Sequence, residues 1–121
     1  MDRRELRRAY KETRRPMGVY RVRNTRDDRS LVGRSVDLPS ILNRLRQQLR
    51  LGVHPNAALQ RDWNALGPEV FAFEVLDTLT PPDDQPAYDP AGDLRALEAL
   101  WLEQLEPFGE RGYTPRPPAH R

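Results

Sequence analysis

Apolar residues recur along this chain with two different periods, and the switches between them mark its elements. From Arg3 to Arg15 a thin stripe of Leu6, Ala9 and Tyr10 at helical spacing runs through basic residues. It predicts a polar helix that ends at Pro16, because proline disfavours helix in the residue before it. Gly18 to Arg23 then alternates apolar and basic residues from Val19 on, the period of a half-buried strand. Asn24 to Ser30 is a polar turn, and Leu31-Val32-Gly33 begins a second strand, so the pair predicts a β-hairpin.

Asp37-Leu38-Pro39-Ser40 reads as a helix start with proline in the first turn. Ile41, Leu42, Leu45 and Leu49 continue it on one face, and Gly52 stops it. Asn56 caps a second helix carrying Leu59, Trp63 and Leu66, which Gly67 ends. Val70 to Leu76 is the clearest strand, and Pro81 to Pro90 is an exposed loop. Leu94, Leu97, Leu100, Trp101 and Leu105 mark a third core helix before a proline-rich tail from Pro115. The order is helix, strand, strand, helix, helix, strand, helix. It predicts an α+β domain in which helices flank a small three-stranded antiparallel sheet.

At 121 residues the chain fits one compact domain. We divide it into a basic N-terminal helix (1–16), a central domain (17–114) and a proline-rich tail (115–121). No run is apolar and long enough to span a membrane, and no apolar run follows the basic N-terminus as a secretory signal requires. With no cysteine, disulfide-linked partners and thiolate metal sites are excluded, and a cytoplasmic location is the default expectation. Net charge is only +2, yet residues 1–61 hold 16 basic and 6 acidic residues, whereas residues 62–121 hold 4 and 12. Nineteen of the twenty basic residues are arginine, whose planar fork suits phosphate. A GC-rich genome also favours arginine over lysine, but it does not explain the clustering. The basic half points to an anionic partner, with the first helix either a solvated surface or an arm along a nucleic-acid backbone.

Gly18-Val19-Tyr20, followed by Leu31-Val32-Gly33, resembles the paired tripeptides that name the GIY-YIG nuclease family. The resemblance continues through Gly52, His54, Asn56, Leu59, Gln60, Asp62, Trp63 and Gly67, then Phe71 to Leu76, Leu97-Glu98, Trp101-Leu102 and Gly112-Tyr113. It covers nearly all of residues 17–114, which are thereby identified as a GIY-YIG-like domain.

The resemblance implies hydrolysis of phosphodiester bonds with a divalent cation, Mg²⁺ or Mn²⁺, and DNA as partner, with RNA as an open alternative. It places Tyr20 at the tyrosine that helps activate water and Glu98 at the metal-binding glutamate. Such a site must supply positive charge and a placed nucleophile, since a phosphodiester repels hydroxide. Four further polar positions of the family are altered here, to Leu31, Ile41, Leu45 and Thr114. Arg44, one helical turn after Ile41, is the candidate to replace the missing guanidinium, and Arg34, directly after the second tripeptide, is placed for a phosphate contact. Arg21, Arg23, Arg46 and His54 complete the expected nucleic-acid-binding set.

Three functions follow from different classes. The first is a metal-dependent DNA endonuclease, in repair or processing, with low sequence specificity. The second is a DNA-binding module that keeps the fold without catalysis, and the third a protein-interaction domain using the acidic half. Trp63 and Trp101 are expected in the core.

Overall fold

The alternation at residues 19–23 becomes the central strand of a three-stranded sheet. The structure, a computed structural model, describes residues 2–5 and 15–117. Most of the expected basic helix, residues 6–14, and the end of the tail, residues 118–121, lie outside the described residues. Six main elements follow in order: β1 (Met17–Asn24), β2 (Ser30–Ser35), α1 (Leu38–Leu51), α2 (Ala57–Leu66), β3 (Phe71–Leu79) and α3 (Ala91–Leu105). Among the described residues no helix is long and apolar enough to cross a membrane.

The strands lie in the order β2-β1-β3, with both pairings antiparallel. Side chains directly opposite one another in such a ladder project to the same side. Tyr20 faces Gly33 and Val75, Val22 faces Leu31 and Phe73, and Asn24 faces Phe71. This side carries the main core, where Tyr20, Val22 and Phe71 pack with Leu38, Leu45 and Leu49 of α1 and Leu59 and Trp63 of α2. The Trp63 ring lies 5.4 Å from that of Phe71 and meets Phe73 edge-on at 6.2 Å.

Val19, Arg21 and Arg23 project to the other side, together with Val32, Arg34, Glu74 and Asp77. There α3 packs across the sheet, and the Trp101 indole N–H donates to Asp77 at 3.1 Å.

Local chemistry sets the helix ends. The Asp37 carboxylate accepts from the Ser40 N–H, Pro39 sits in the first turn of α1, and Gly52 closes it at φ 75°. Asn56 caps α2 by accepting from the Leu59 N–H.

Three details depart from the expectation. Strand β3 runs three residues beyond Leu76, because Met17–Val19 stay paired with Asp77–Leu79 past a bulge at Val19/Tyr20. Val70 belongs instead to a 3₁₀ turn over Pro68–Val70. Leu94 alone of α3 is buried, whereas Leu100 is 62% exposed and Trp101 is half-buried, held by its polar N–H rather than enclosed.

The outer edge of β2 is half covered. Ser30 O accepts from the Tyr113 N–H (2.9 Å) and the Thr114 hydroxyl (3.0 Å), which in turn accepts from the Val32 N–H at 3.0 Å. Tyr113 is anchored by donating to Asp62 at 2.7 Å and accepting from fully buried Asn24 at 3.1 Å. Burial and the Asp62 bond help push its phenol pKa up to about 12. Arg29 pairs with Asp62 and lies 4.9 Å over the Tyr113 ring.

Candidate active site

The uncovered half of the β2 edge is where chemically capable side chains meet. Tyr20 reaches it from the side of the sheet packed by α1 and α2. Its ring lies against Gly33, directly opposite on β2, so closely that a Cβ there would be 2.6 Å from the phenol Cζ. Only glycine leaves that room, which gives the last residue of the second tripeptide a steric role in seating the tyrosine. Arg34 and Glu98 reach the same edge from the other side, with Arg34 Nη1 donating to Glu98 Oε1 at 2.7 Å. The Glu98 charge is felt at the Tyr20 hydroxyl. Burial first, and that charge second, raise the phenol pKa above its ordinary value of 10.0. Tyr20 is therefore neutral at physiological pH in the free protein and donates a proton more readily than it accepts one.

The altered positions are explained by packing. Leu31, opposite Val22, and Ile41 are half-buried against the core, and Leu45 is 6% exposed within it. The Thr114 hydroxyl is fully engaged by Ser30 and Val32, so it stitches the C-terminal segment to β2. None of these four residues offers a free polar group to a substrate.

Helix α1 lies over β1 and β2, and its flanks separate two arginines. Arg46 stacks on Phe73 of β3, with its guanidinium carbon 4.4 Å from the ring centroid. Arg44, two residues earlier and so on the opposite flank by helical geometry, is exposed with no ion pair among the described residues. Arg21 and Arg23 are drawn to the other face, where both donate to Glu74 Oε1, at 2.9 and 2.8 Å. Of the expected residues the fold pairs Arg34 with Glu98 and seats Tyr20 against the neighbouring Gly33, while Arg44 stays exposed on α1. Arg21, Arg23 and Arg46 sit apart.

His54 belongs to the β2 side through its loop. Its neighbour Asn56 donates from its side-chain amide to Tyr113 O at 2.6 Å, tying the loop to the segment that edges β2. The Asn56 backbone N–H donates to His54 Nδ1 at 3.0 Å, so the proton of the neutral imidazole resides on Nε2. That Nε2 is buried and has no hydrogen-bond partner among the described residues, a donor unmatched in the fold. The sequence marked His54 but not the role of Asn56 in fixing its tautomer. An Asn two residues after a His, at a helix N-cap, was the available signal.

Burial lowers the His54 pKa below its ordinary 6.5. A histidine that ionises at lower pH in the folded state binds fewer protons there than when unfolded. Its contribution therefore makes stability fall as pH drops through about 6.5, and the loss levels off once the folded state also titrates. An NMR titration of the His54 ring protons is expected to give a midpoint below 6.5. A midpoint at or above that value would contradict the neutral Nε2–H donor.

Among the described residues Glu98 is the carboxylate whose charge acts on Tyr20, and no group of three or more His, Asp or Glu forms a metal cage. The donor set still fits a hard cation. Magnesium retains several waters, takes phosphate oxygens as ligands and needs only one or two carboxylates from the protein. Beyond its bond to Arg34, Glu98 makes no hydrogen bond among the described residues, so a carboxylate oxygen remains open.

No protein-family model matches the chain, and no curated protein sequence matches it significantly. Solved structures do. The catalytic domain of homing endonuclease I-TevI is 26% identical, with a TM-score of 0.64 over 81% of this chain and 96% of that domain. A glutamate-to-alanine mutant of the catalytic domain of intron endonuclease I-TevI is 24% identical, with a TM-score of 0.61 over 75% and 84%. The three-stranded antiparallel sheet and its helices thus form the GIY-YIG fold of the I-TevI catalytic domain.

Proposed function

We propose that the protein is a divalent-metal-dependent DNA endonuclease whose site is built from Tyr20, Arg34, Arg44, His54 and Glu98 at the open half of the β2 edge. The observation that carries this reading is the convergence of Tyr20, Arg34 and Glu98 from opposite sides of the sheet around Gly33. A merely structural tyrosine needs no glycine seat beside an ion pair. The likeness to a homing endonuclease catalytic domain supports a nuclease acting on DNA. The basic first half supports a polyanionic partner, and we assign it a role in repair or processing with low sequence specificity.

In this reading Arg34 and Arg44 bind the phosphate oxygens and offset the charge that builds up in the transition state. His54 Nε2–H, buried in the free protein, donates to the same group once substrate binding uncovers it. Tyr20 positions the attacking water and takes its proton, which requires its raised pKa to fall. Drawing positive charge toward Glu98 removes part of the cause that raises it. A cation held by Glu98 would supply Lewis-acid stabilisation of the phosphodiester. Residues 1–16 serve as a basic arm, and residues 17–114 carry the nuclease.

Incubating purified protein with supercoiled plasmid and Mg²⁺ or Mn²⁺ tests the reading, with nicked or linear product expected and lost on chelation. Tyr20→Phe is expected to reduce the cleavage rate by about 10²–10⁴-fold, the usual worth of a placed acid–base group. Since the ring and its seat are preserved, DNA affinity should change little. Equal cleavage by Tyr20→Phe would remove the phenol from the reaction.

A further inference from the structure

Arg34 and Glu98 hold each other unequally. The Glu98 side chain is 18% exposed and the Arg34 side chain 40%, so isolating the carboxylate costs more than releasing the guanidinium into water. Arg34 follows Gly33 near the end of an edge strand, and Glu98 is its only recorded partner among the described residues. A divalent cation and the guanidinium would compete for the same carboxylate, and their positive charges repel at that distance. A phosphodiester is the one ligand of this site that the guanidinium can bind instead, through a two-pronged contact.

Building on the reading of Glu98 as the cation's ligand, we propose that Arg34 is a latch on it. Nucleic acid draws the guanidinium onto phosphate and thereby frees Glu98 for the divalent cation, so the two ligands bind cooperatively. In the free protein the carboxylate is already neutralised, which keeps cation occupancy low until substrate arrives. No cage of three or more His, Asp or Glu among the described residues offers the cation an alternative, and the incoming phosphate brings further oxygen ligands. By reciprocity the cation must tighten nucleic-acid binding by the same factor.

Mn²⁺ binding to the full chain, followed by EPR of free Mn²⁺ with and without a short DNA duplex, tests this. The Glu98→Gln protein gives the background of Mn²⁺ taken up by the duplex. Arg34→Gln is expected to bind Mn²⁺ about threefold to tenfold more tightly than wild type without DNA, a range set by a partly exposed ion pair. The duplex should tighten wild-type binding by a similar factor above background and Arg34→Gln hardly at all, with Arg34→Lys staying near wild type. No gain in Arg34→Gln, or no effect of duplex on wild type above background, would overturn the latch. If Glu98→Gln binds Mn²⁺ as well as wild type does without DNA, Glu98 is not the ligand. That result defeats the reading of the site, whereas normal loss in Glu98→Gln with no gain in Arg34→Gln defeats the latch alone.

Discussion

Replacing Glu98 with alanine is expected to lower metal-dependent DNA cleavage by about 10³-fold or more while leaving DNA affinity at or slightly above that of wild type. The loss follows from the single carboxylate at the site: among the described residues no His, Asp or Glu cage replaces it as a protein ligand for the cation. The retained affinity follows from Arg34, whose guanidinium loses its intramolecular partner and becomes fully available to phosphate. The fold should tolerate the change, since Leu94 rather than Glu98 is the buried residue of α3. The group left without its partner is Arg34, the more exposed of the two, which water can solvate. Single-turnover cleavage and fluorescence-anisotropy binding read the two halves of this expectation separately. Cleavage at the wild-type rate would mean that another group holds the cation.

Arg44→Ala carries the second large effect. Losing one preorganised positive donor at a transition state typically costs about 10²–10³ in rate, or roughly 3–4 kcal/mol. Losing one backbone phosphate contact costs far less in affinity and lowers the salt slope by about one. Arg44 is exposed and makes no ion pair among the described residues, so its removal should disturb no intramolecular bond there. Lysine at 44 should rescue only partly, because it keeps the charge without the fork. Ile41→Arg, combined with Arg44→Ala, should recover part of the rate, since residue 41 lies one turn away on the same flank. A wild-type rate in Arg44→Ala would move the phosphate clamp to Arg34 and His54.

Most of the fold was legible because its signals are local. The alternation at 19–23, the Asp37 and Asn56 caps and the stops at Gly52 and Gly67 each rest on neighbours in sequence. Where the expectation missed, the deciding contact was distant. The extra length of β3 depends on pairing with Met17–Val19, and the half-exposed Trp101 depends on Asp77 across the sheet. Of the candidate site, Tyr20, Glu98 and Arg34 were marked by motif and order, but the Arg34–Glu98 bond and the seating of Tyr20 against Gly33 required the sheet.

Arg44 and Arg46 are two residues apart and chemically identical, and only the packing of α1 separates them. Arg21 and Arg23 looked like free cations until β3 brought Glu74 between them. The tie from Thr114 to Ser30 and Val32 spans more than eighty residues and leaves no mark in the pattern.

The central claim is that this edge of the sheet still cuts DNA although Leu31, Ile41, Leu45 and Thr114 have lost the polar groups expected there. The most direct measurement is single-turnover cleavage of a supercoiled plasmid by saturating wild-type protein across a Mn²⁺ titration, with binding recorded in the same samples. A rate that rises from the chelated baseline and saturates with Mn²⁺, while the plasmid stays bound throughout, is the predicted result. Plasmid that is fully bound and never cut at any Mn²⁺ concentration would contradict the claim and leave a DNA-binding module on a nuclease fold.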